Sequence, residues 1–417
     1  MQRGAVVAAS LATASGAGLA RGPDAAAGEL TGPAGVAWDE TGTIVYAGEA
    51  DGLPWSPSAG RPDRGCLAPG FVDCHVHLPF VGWRADEYEA RLRGLSYRDL
   101  HGSDGGIYRS SRLLRDASDE EVLAFSRPLL AEMAAHGTTA TELKTGYGLS
   151  VEQELRQARL ARRLADEVPQ TCRVTLLACH AVPEGIERSE WVRVACRELI
   201  PAAAAEGLAD QVDIYVEDIA FSLDDLAAVA EAAGAAGLPL RVHADQLGPS
   251  GAAEAAVRMG ARSADHLNHC SEAGVAALGG DAPTAAVLLP ASTFFLRARA
   301  APAAALRAAG AALALATDCN PGTSPVVSMP EAIAMGCALY GLSPLEALTA
   351  ATANAAWVLG LDERLGRLAM HMRADLVLLD GTTVAEVPYR PGHNPVVASW
   401  IGGELVAGHP ERIGNVV

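Results

Sequence analysis

Two histidines close the stretch Pro69-Gly-Phe-Val-Asp-Cys-His-Val-His77. Side chains alternate faces along extended chain, so His75 and His77 point the same way. At the inner face of a barrel strand, both imidazoles can reach one divalent metal. His-x-His alone is a modest signal, because two surface histidines at a strand end would read the same. Four further polar groups fall at expected strand ends. His180 follows Leu176-Leu-Ala-Cys179, His243 follows Leu240-Arg-Val242, His266 sits in Ser263-Ala-Asp-His-Leu267, and Asp318 follows Ala314-Leu-Ala-Thr317. One such histidine is usually a satisfied structural residue; four groups at one end of a repeat are hard to assign to packing. An unpaired buried polar group costs on the order of 1–3 kcal/mol, so a metal or substrate should satisfy these. His75, His77, His243 and Asp318 are therefore expected to be ligands, a set that suits zinc, iron, manganese or nickel. A metal there acidifies bound water. Asp318 is expected to accept a proton from that water as well as to ligate. His266 is expected to orient the water or stabilise developing charge. The chemistry implied is hydrolysis at an amide or amidine-like carbon.

Positioning these groups requires strands that alternate with helices. From Cys66 onward the chain has that rhythm. Leu67 to His77 reads as one strand and Asp86 to Arg93 as a helix, with a glycine-rich loop at Gly102-Ser-Asp-Gly-Gly106. Ser118-Asp-Glu-Glu121 reads as a helix N-cap. Thr138 to Lys144, Cys172 to His180, Val212 to Val216, Leu238 to His243, Ser263 to His266, Ala285 to Leu289 and Ala312 to Thr317 read as strands. Between them lie helices, including Leu155 to Ala165, Trp191 to Ala205 and Ser222 to Ala233. About eight such units imply a (β/α)8 barrel with its site at the carboxyl ends of the strands. Met329 to Ala338 and Pro344 to Leu359 read as closing helices. Outside this region the texture is β: Gly35 to Trp38 and Thr43 to Gly48 near the start, Ala374 to Asp380, Pro395 to Ile401 and a hairpin through Gly402-Gly-Glu-Leu-Val406 near the end. The expected division is residues 1–65 and 371–417 as the two parts of one small discontinuous β domain, and residues 66–370 as a metal-dependent hydrolase barrel. Residues 50–65 read as an exposed loop, and Met1 to Ala12 as an opening strand rather than a signal peptide.

Composition sets limits. The chain has 417 residues, half of them hydrophobic and only 5% aromatic. That length suits a large barrel with a small partner domain. A net charge of -18, without a basic cluster, argues against nucleic acid and anionic membranes as partners. It leaves room for a small anionic substrate held by a local arginine. No run demands a membrane span. The 8 cysteines show no CxxC spacing and several sit in apolar runs, as in reduced thiols of a cytoplasmic enzyme.

The chain resembles the imidazolonepropionase family of the amidohydrolase superfamily. The His-x-His stretch carries the resemblance together with Phe80-Val-Gly-Trp-Arg84, Glu87 to Gly94, Gly105-Gly-Ile107, Leu143-Lys-Thr-Gly-Tyr-Gly-Leu149, His180-Ala-Val-Pro183, His243-Ala-Asp-Gln-Leu247, Ala264-Asp-His-Leu267 and Thr317-Asp-Cys-Asn-Pro-Gly-Thr-Ser-Pro325. It covers nearly all of the chain from about residue 66. It implies ring opening of 4-imidazolone-5-propanoate by water to N-formimidoyl-L-glutamate, in histidine degradation, with one zinc or iron ion and a homodimeric state. By position it implies that Arg84 binds the propanoate carboxylate through its planar fork. Tyr147 and His180 would contact substrate, Gln246 would orient ring or water, and Asn320 and Gly322 would face the ring. A surface salt bridge with Asp86 or Glu87 is the competing reading for Arg84. Some superfamily members bridge two metals with a carboxylated lysine, but Lys144 lies where this family has no bridge.

The chain departs from the family at Arg109, where serine is usual, at Cys179, where glycine is usual, and around Thr293. Arg109 would add a second positive anchor or mark another substrate. The nearest alternative is therefore a metal-dependent amidohydrolase or deaminase acting on another small cyclic amide or heterocycle. Deaminases commonly place glutamate three residues after the ligand histidine; Gln246 cannot carry a proton in that way. A non-catalytic binding barrel would have no need of His75, His77, His243, His266 and Asp318 together.

Overall fold

A computed structural model describes residues 2–95, 99 and 105–409. Most of the glycine-rich loop read at Gly102 to Gly106 lies outside them. Among the described residues no helix is long and apolar enough to cross a membrane.

The strands in chain order are β1 (Gly4–Thr13), β2 (Gly28–Trp38), β3 (Ile44–Glu49), β4 (Ala59–Gly60), β5 (Cys66–Pro69), β6 (Phe71–Asp73), β7 (Thr138–Lys144), β8 (Thr171–Cys179), β9 (Gln211–Val216), β10 (Leu240–Ala244), β11 (Ser263–His266), β12 (Ala285–Leu288), β13 (Leu313–Leu315), β14 (Leu376–Leu379), β15 (Val396–Ile401) and β16 (Glu404–Gly408). They form two sheets. One runs β16-β15-β14-β5-β1-β2-β3, with β4 beside β1, and joins strands from both ends of the chain. The other is parallel and runs in chain order from β6 to β13, with helices in the connections. A parallel bridge between Val76 and Cys319 brings its two edges together. His77 N donates to Cys319 O at 2.9 Å and Asp318 N to His75 O at 3.0 Å. The segments that close the barrel are thus the ones that carry His75, His77 and Asp318. Asp73 clamps the same seam. Its carboxylate accepts from Thr317 N at 3.0 Å and from Thr317 Oγ1 at 2.6 Å.

Most strands lie where the sequence puts them. Two elements do not. The stretch from Leu67 to His77 is not one strand: Cys66–Pro69 belongs to the mixed sheet and Phe71–Asp73 to the barrel. The chain passes between them at Gly70, where a Cβ would come within 2.2 Å of Thr139 Oγ1. Gly70 N bonds Asp375 O, just before β14 of the first sheet, while Phe71 N bonds Gly137 O, just before β7 of the second. Pro344 to Leu359 is also two helices, Pro344–Ala350 and Ala353–Val358. The Ala351 carbonyl accepts from Val72 N at 2.8 Å, so a barrel strand takes a group that a continuous helix would use. The expected loop at 50–65 contains the short β4, paired with β1.

The core is built largely of alanine, valine and leucine. The largest cluster, which spans Ala12 to Val387 in sequence, packs strands β8 to β13 against their helices. A separate cluster around Leu11, Val36, Trp38, Leu376 and Trp400 fills the mixed sheet. Burying one Val or Leu side chain contributes about 1.5–3 kcal/mol, so alanine-rich helices approach closely and hold the barrel by number of contacts rather than by size.

Candidate metal centre

The site forms where the barrel closes. His75 Nε2 lies 3.2 Å from His77 Nε2, which lies 3.5 Å from His243 Nε2. Asp318 Oδ1 is 3.6 Å from His75 Nε2 and 3.3 Å from His77 Nε2. All four residues are buried. Two overlapping donor sets fit a single ion: His75, His77 and His243, and His75, His266 and Asp318, each with its donor atoms within 4.8 Å of one another.

The chain itself indicates that a cation belongs there. His75 Nδ1 meets Asp265 Oδ2 at 2.6 Å, and His243 Nδ1 faces Asp213 Oδ2 at 3.0 Å. An Nδ1–H turned toward such a carboxylate leaves Nε2 with a bare lone pair. Those lone pairs, with the Asp318 carboxylate, converge on one point. Burial pushes His75 and His77 well below the ordinary imidazole range and His266 down to about 3. The three rings are therefore neutral and cannot supply the missing positive charge. His77 Nδ1 is also buried without a hydrogen-bond partner. A divalent ion held by these donors would remove the mutual repulsion.

Backbone geometry aims two of the groups. His266 is in register with Ala244, not with His243, and regular alternation would turn its ring away from the barrel interior. Its φ of 76° turns it back, and its ring centroid lies 5.3 Å from that of His243. Asp318 has φ 55°. A left-handed backbone at a non-glycine residue costs about 1–3 kcal/mol and clusters at functional sites.

Beneath the ligands lies a layer of charge that the sequence reading passed over. Arg241 donates to Asp265 Oδ2 at 2.7 Å, to Glu142 Oε1 at 2.6 Å and to Cys74 O at 2.7 Å, while its Nε donates to Ser263 Oγ at 2.8 Å. Lys144 Nζ donates to Asp213 Oδ2 at 2.6 Å and to Glu142 Oε1 at 3.1 Å. Glu142, Lys144, Asp213, Arg241 and Asp265 are all 0% exposed. Burial raises the Asp213 carboxyl, but the neighbouring His243 and Lys144 outweigh it and hold it well below the usual carboxylate range. Lys144 Nζ thus lies between the buried carboxylates of Asp213 and Glu142.

Around the ligands a small chamber is lined by Arg84, Tyr147, His180, Gln246 and Asn320, all foreseen, and by Ile107, Tyr215 and Thr323, which were not. Tyr215 could have been found from its register with His243 across β9 and β10. Arg84 is 2% exposed. Its Nη1 donates to Gly106 O at 2.7 Å and Ser110 Oγ at 2.6 Å, and its Nε meets Glu87 Oε2 at 3.1 Å. The ion pair with Glu87 exists, but it is buried rather than on the surface. Its Nη1 is thus held by the protein, while its Nε lies beside the Glu87 carboxylate. Gly322 is not in the chamber lining. It lies against Arg84 on an outer groove, where a Cβ would come within 1.8 Å of Arg84 Nη2. The Asn320 amide carbonyl accepts from Gly322 N and Thr323 N, and its Nδ2 donates to Asp318 O at 2.7 Å. Its polar atoms therefore shape the loop that follows Asp318.

The departures from family pattern fall outside the chamber lining. Arg109 pairs with Asp86 at 2.6 Å, so it supplies no second anchor inside. Cys179 packs in the core. Thr293 Oγ1 meets Tyr340 Oη and the Leu289 carbonyl, each at 3.0 Å.

A family model described as "Amidohydrolase family" matches residues 66–406. An imidazolonepropionase of Xanthomonas oryzae pv. oryzae (strain PXO99A) is 44% identical over 369 residues, covering 88% of this chain and 92% of the relative. An imidazolonepropionase of Stenotrophomonas maltophilia (strain R551-3) is also 44% identical, over 339 residues, covering 81% and 83%. Among solved structures, a zinc-bound adenosine deaminase of Xanthomonas campestris superposes with TM-score 0.73 at 20% identity, covering 98% of this chain and 93% of the other. Ochratoxinase of A. niger superposes with TM-score 0.70 at 18% identity, covering 100% of each. At such identities the structural likeness speaks for the fold alone.

Proposed function

The chain belongs to the amidohydrolase family, closely related to the imidazolonepropionases, and from that premise we propose how its own residues perform the ring-opening hydrolysis. The reaction converts 4-imidazolone-5-propanoate and water into N-formimidoyl-L-glutamate. A bond forms between the water oxygen and the ring carbonyl carbon, and the bond from that carbon to the adjacent ring nitrogen breaks. The nitrogen takes up a proton and becomes the formimidoyl terminus. The observation that carries this reading is the convergence of three imidazoles and one carboxylate at 3.2–3.6 Å contacts, in a chain 44% identical to imidazolonepropionases.

His75, His77, His243 and Asp318 would hold one zinc or iron ion. When bound, such an ion acidifies water and polarises a carbonyl. Asp318 accepts the proton of the attacking water and returns it to the leaving ring nitrogen. His266, neutral and turned inward, donates a hydrogen bond to charge developing on the carbonyl oxygen. Gln246 orients ring or water through its amide. Arg84 anchors the propanoate carboxylate through its remaining donor capacity, and Tyr147 and His180 fix the ring. Asn320 and Gly322 act on substrate through the loop they shape and the guanidinium they abut. Eight free thiols support a cytoplasmic setting. Homodimerisation rests on the family resemblance and is checked by light scattering.

The test is incubation of metal-loaded protein with 4-imidazolone-5-propanoate, following loss of ring absorbance. Turnover is expected. No turnover of this compound, with turnover of another cyclic amide, would move the substrate assignment.

A further inference from the structure

Gln246 lines the chamber from a turn outside the regular strands and helices. It follows Asp245, which has φ 52°, and it lies beyond the end of β10. Something must hold this turn if the Gln246 amide is to meet substrate in one orientation. One side of it is held by Asp245 itself, whose Oδ1 accepts from Ser250 N at 2.8 Å and Gly251 N at 3.1 Å, and whose carbonyl accepts from His269 N at 2.7 Å. The other side is held by Glu217. Its Oε1 accepts from Leu247 N at 2.8 Å, and its carboxylate also takes a hydrogen bond from Gln246 N.

Glu217 is well placed for this. It stands one residue beyond β9, the strand that pairs with β10. Its own backbone is fixed by a tight turn: Glu217 N donates to Phe221 O at 3.1 Å and Ala220 N to Glu217 O at 3.0 Å, with Phe221 buried. Glu217 is 3% exposed. A buried carboxylate beside Asp218 and Asp245 is costly, and burial pushes its carboxyl up to about 7. The fold nevertheless keeps it where the backbone amides of the Gln246 turn reach its carboxylate.

We propose that Glu217 is a positioning residue for the hydrolysis: it clips the backbone of Gln246 and Leu247 so that the Gln246 side chain enters the chamber in a single pose. This rests on the role given to Gln246 above. Glu217 itself is not in the chamber lining and acts only through the turn.

The experiment is a double-mutant cycle with an independent amide readout. Glu217→Ala should lower kcat/KM roughly tenfold, as loss of an outer supporting partner commonly does. Glu217→Gln keeps one acceptor and should stay within about threefold of the parent. In the Gln246→Ala background, Glu217→Ala should cost almost nothing further, because the group it positions is gone. Hydrogen exchange at the Leu247 amide should accelerate in Glu217→Ala and not in Gln246→Ala. Fully additive losses, or unchanged Leu247 exchange in Glu217→Ala, would overturn the proposal. If the Ala variant does not fold, Glu217→Leu, which keeps the side-chain bulk and removes both acceptors, takes its place in the same cycle and the same exchange measurement. If the parent proves inactive on 4-imidazolone-5-propanoate, the substrate assignment has failed, and the exchange result still judges the clip.

Discussion

The ligand ring and the charge layer beneath it lie a few ångströms apart and are built on different logic. In the ring, His75, His77, His243 and Asp318 bring lone pairs and negative charge to one point and leave it in want of a cation. In the layer, Arg241 and Lys144 already answer Glu142, Asp213 and Asp265 within hydrogen-bond distance. The first is a set of donors that a cation completes; the second pairs acid with base internally and serves as foundation. Asp265 and Asp213 join them, each bonded downward to a cation and upward to a ligand histidine. The difference teaches that the aim of His75 and His243 is set from below, by the carboxylates that face their Nδ1 atoms.

The contrast can be tested by damaging one region at a time. The largest effect on turnover is expected in the ring. Asp318→Asn should lower kcat on the order of 10³-fold with the far-ultraviolet circular dichroism unchanged; turnover equal to the parent's would remove Asp318 from its assigned role. The layer should fail differently. Arg241→Met strands Glu142 and Asp265 in the interior and should reduce unfolding free energy in urea by about 3–5 kcal/mol. A loss near zero there would mean that the layer supports nothing. Arg84→Ala, in the chamber wall, should raise KM roughly tenfold or more with a smaller change in kcat. An unchanged KM for a carboxylate-bearing substrate would argue against the anchor.

The smallest effect concerns pH and stability at Glu217. Its carboxyl is raised to about 7 in the fold, by burial first and then by Asp218 and Asp245, against about 4.3 in an unfolded chain. A raised acid stabilises the fold fully below the unfolded value, and that contribution is lost as pH rises through the folded value. Glu217→Gln should therefore gain in melting temperature over the parent as pH goes from 5 to 8. A constant difference across that range would show that Glu217 does not titrate in this window.

The ring was legible in the sequence and the layer was not. Histidines at the ends of apolar runs stand out because few other roles place them there. Glu142, Lys144 and Arg241 sit inside strands, Thr138–Lys144 and Leu240–Ala244, where one charged residue reads as a solvated face. Only the closed barrel brings them opposite one another across 99 positions of chain, as in Glu142 and Arg241. The inward turn of His266 depends on a positive φ that no side-chain pattern announces. Likewise Leu67 to His77 reads as one strand because hydrophobicity runs through Gly70 unbroken; the change of sheet is set by Thr139 pressing on that glycine. Helix starts were easier, since Ser118 and Ser222 are capping-box residues with acidic partners three positions on.

The central claim, one ion at the convergence of His75, His77, His243 and Asp318, is tested most directly by metal titration. Protein stripped with chelator should regain hydrolysis of 4-imidazolone-5-propanoate in proportion to added zinc or iron(II), reaching a plateau at one equivalent per chain. Full activity in the stripped protein, or a plateau at two equivalents, would contradict it.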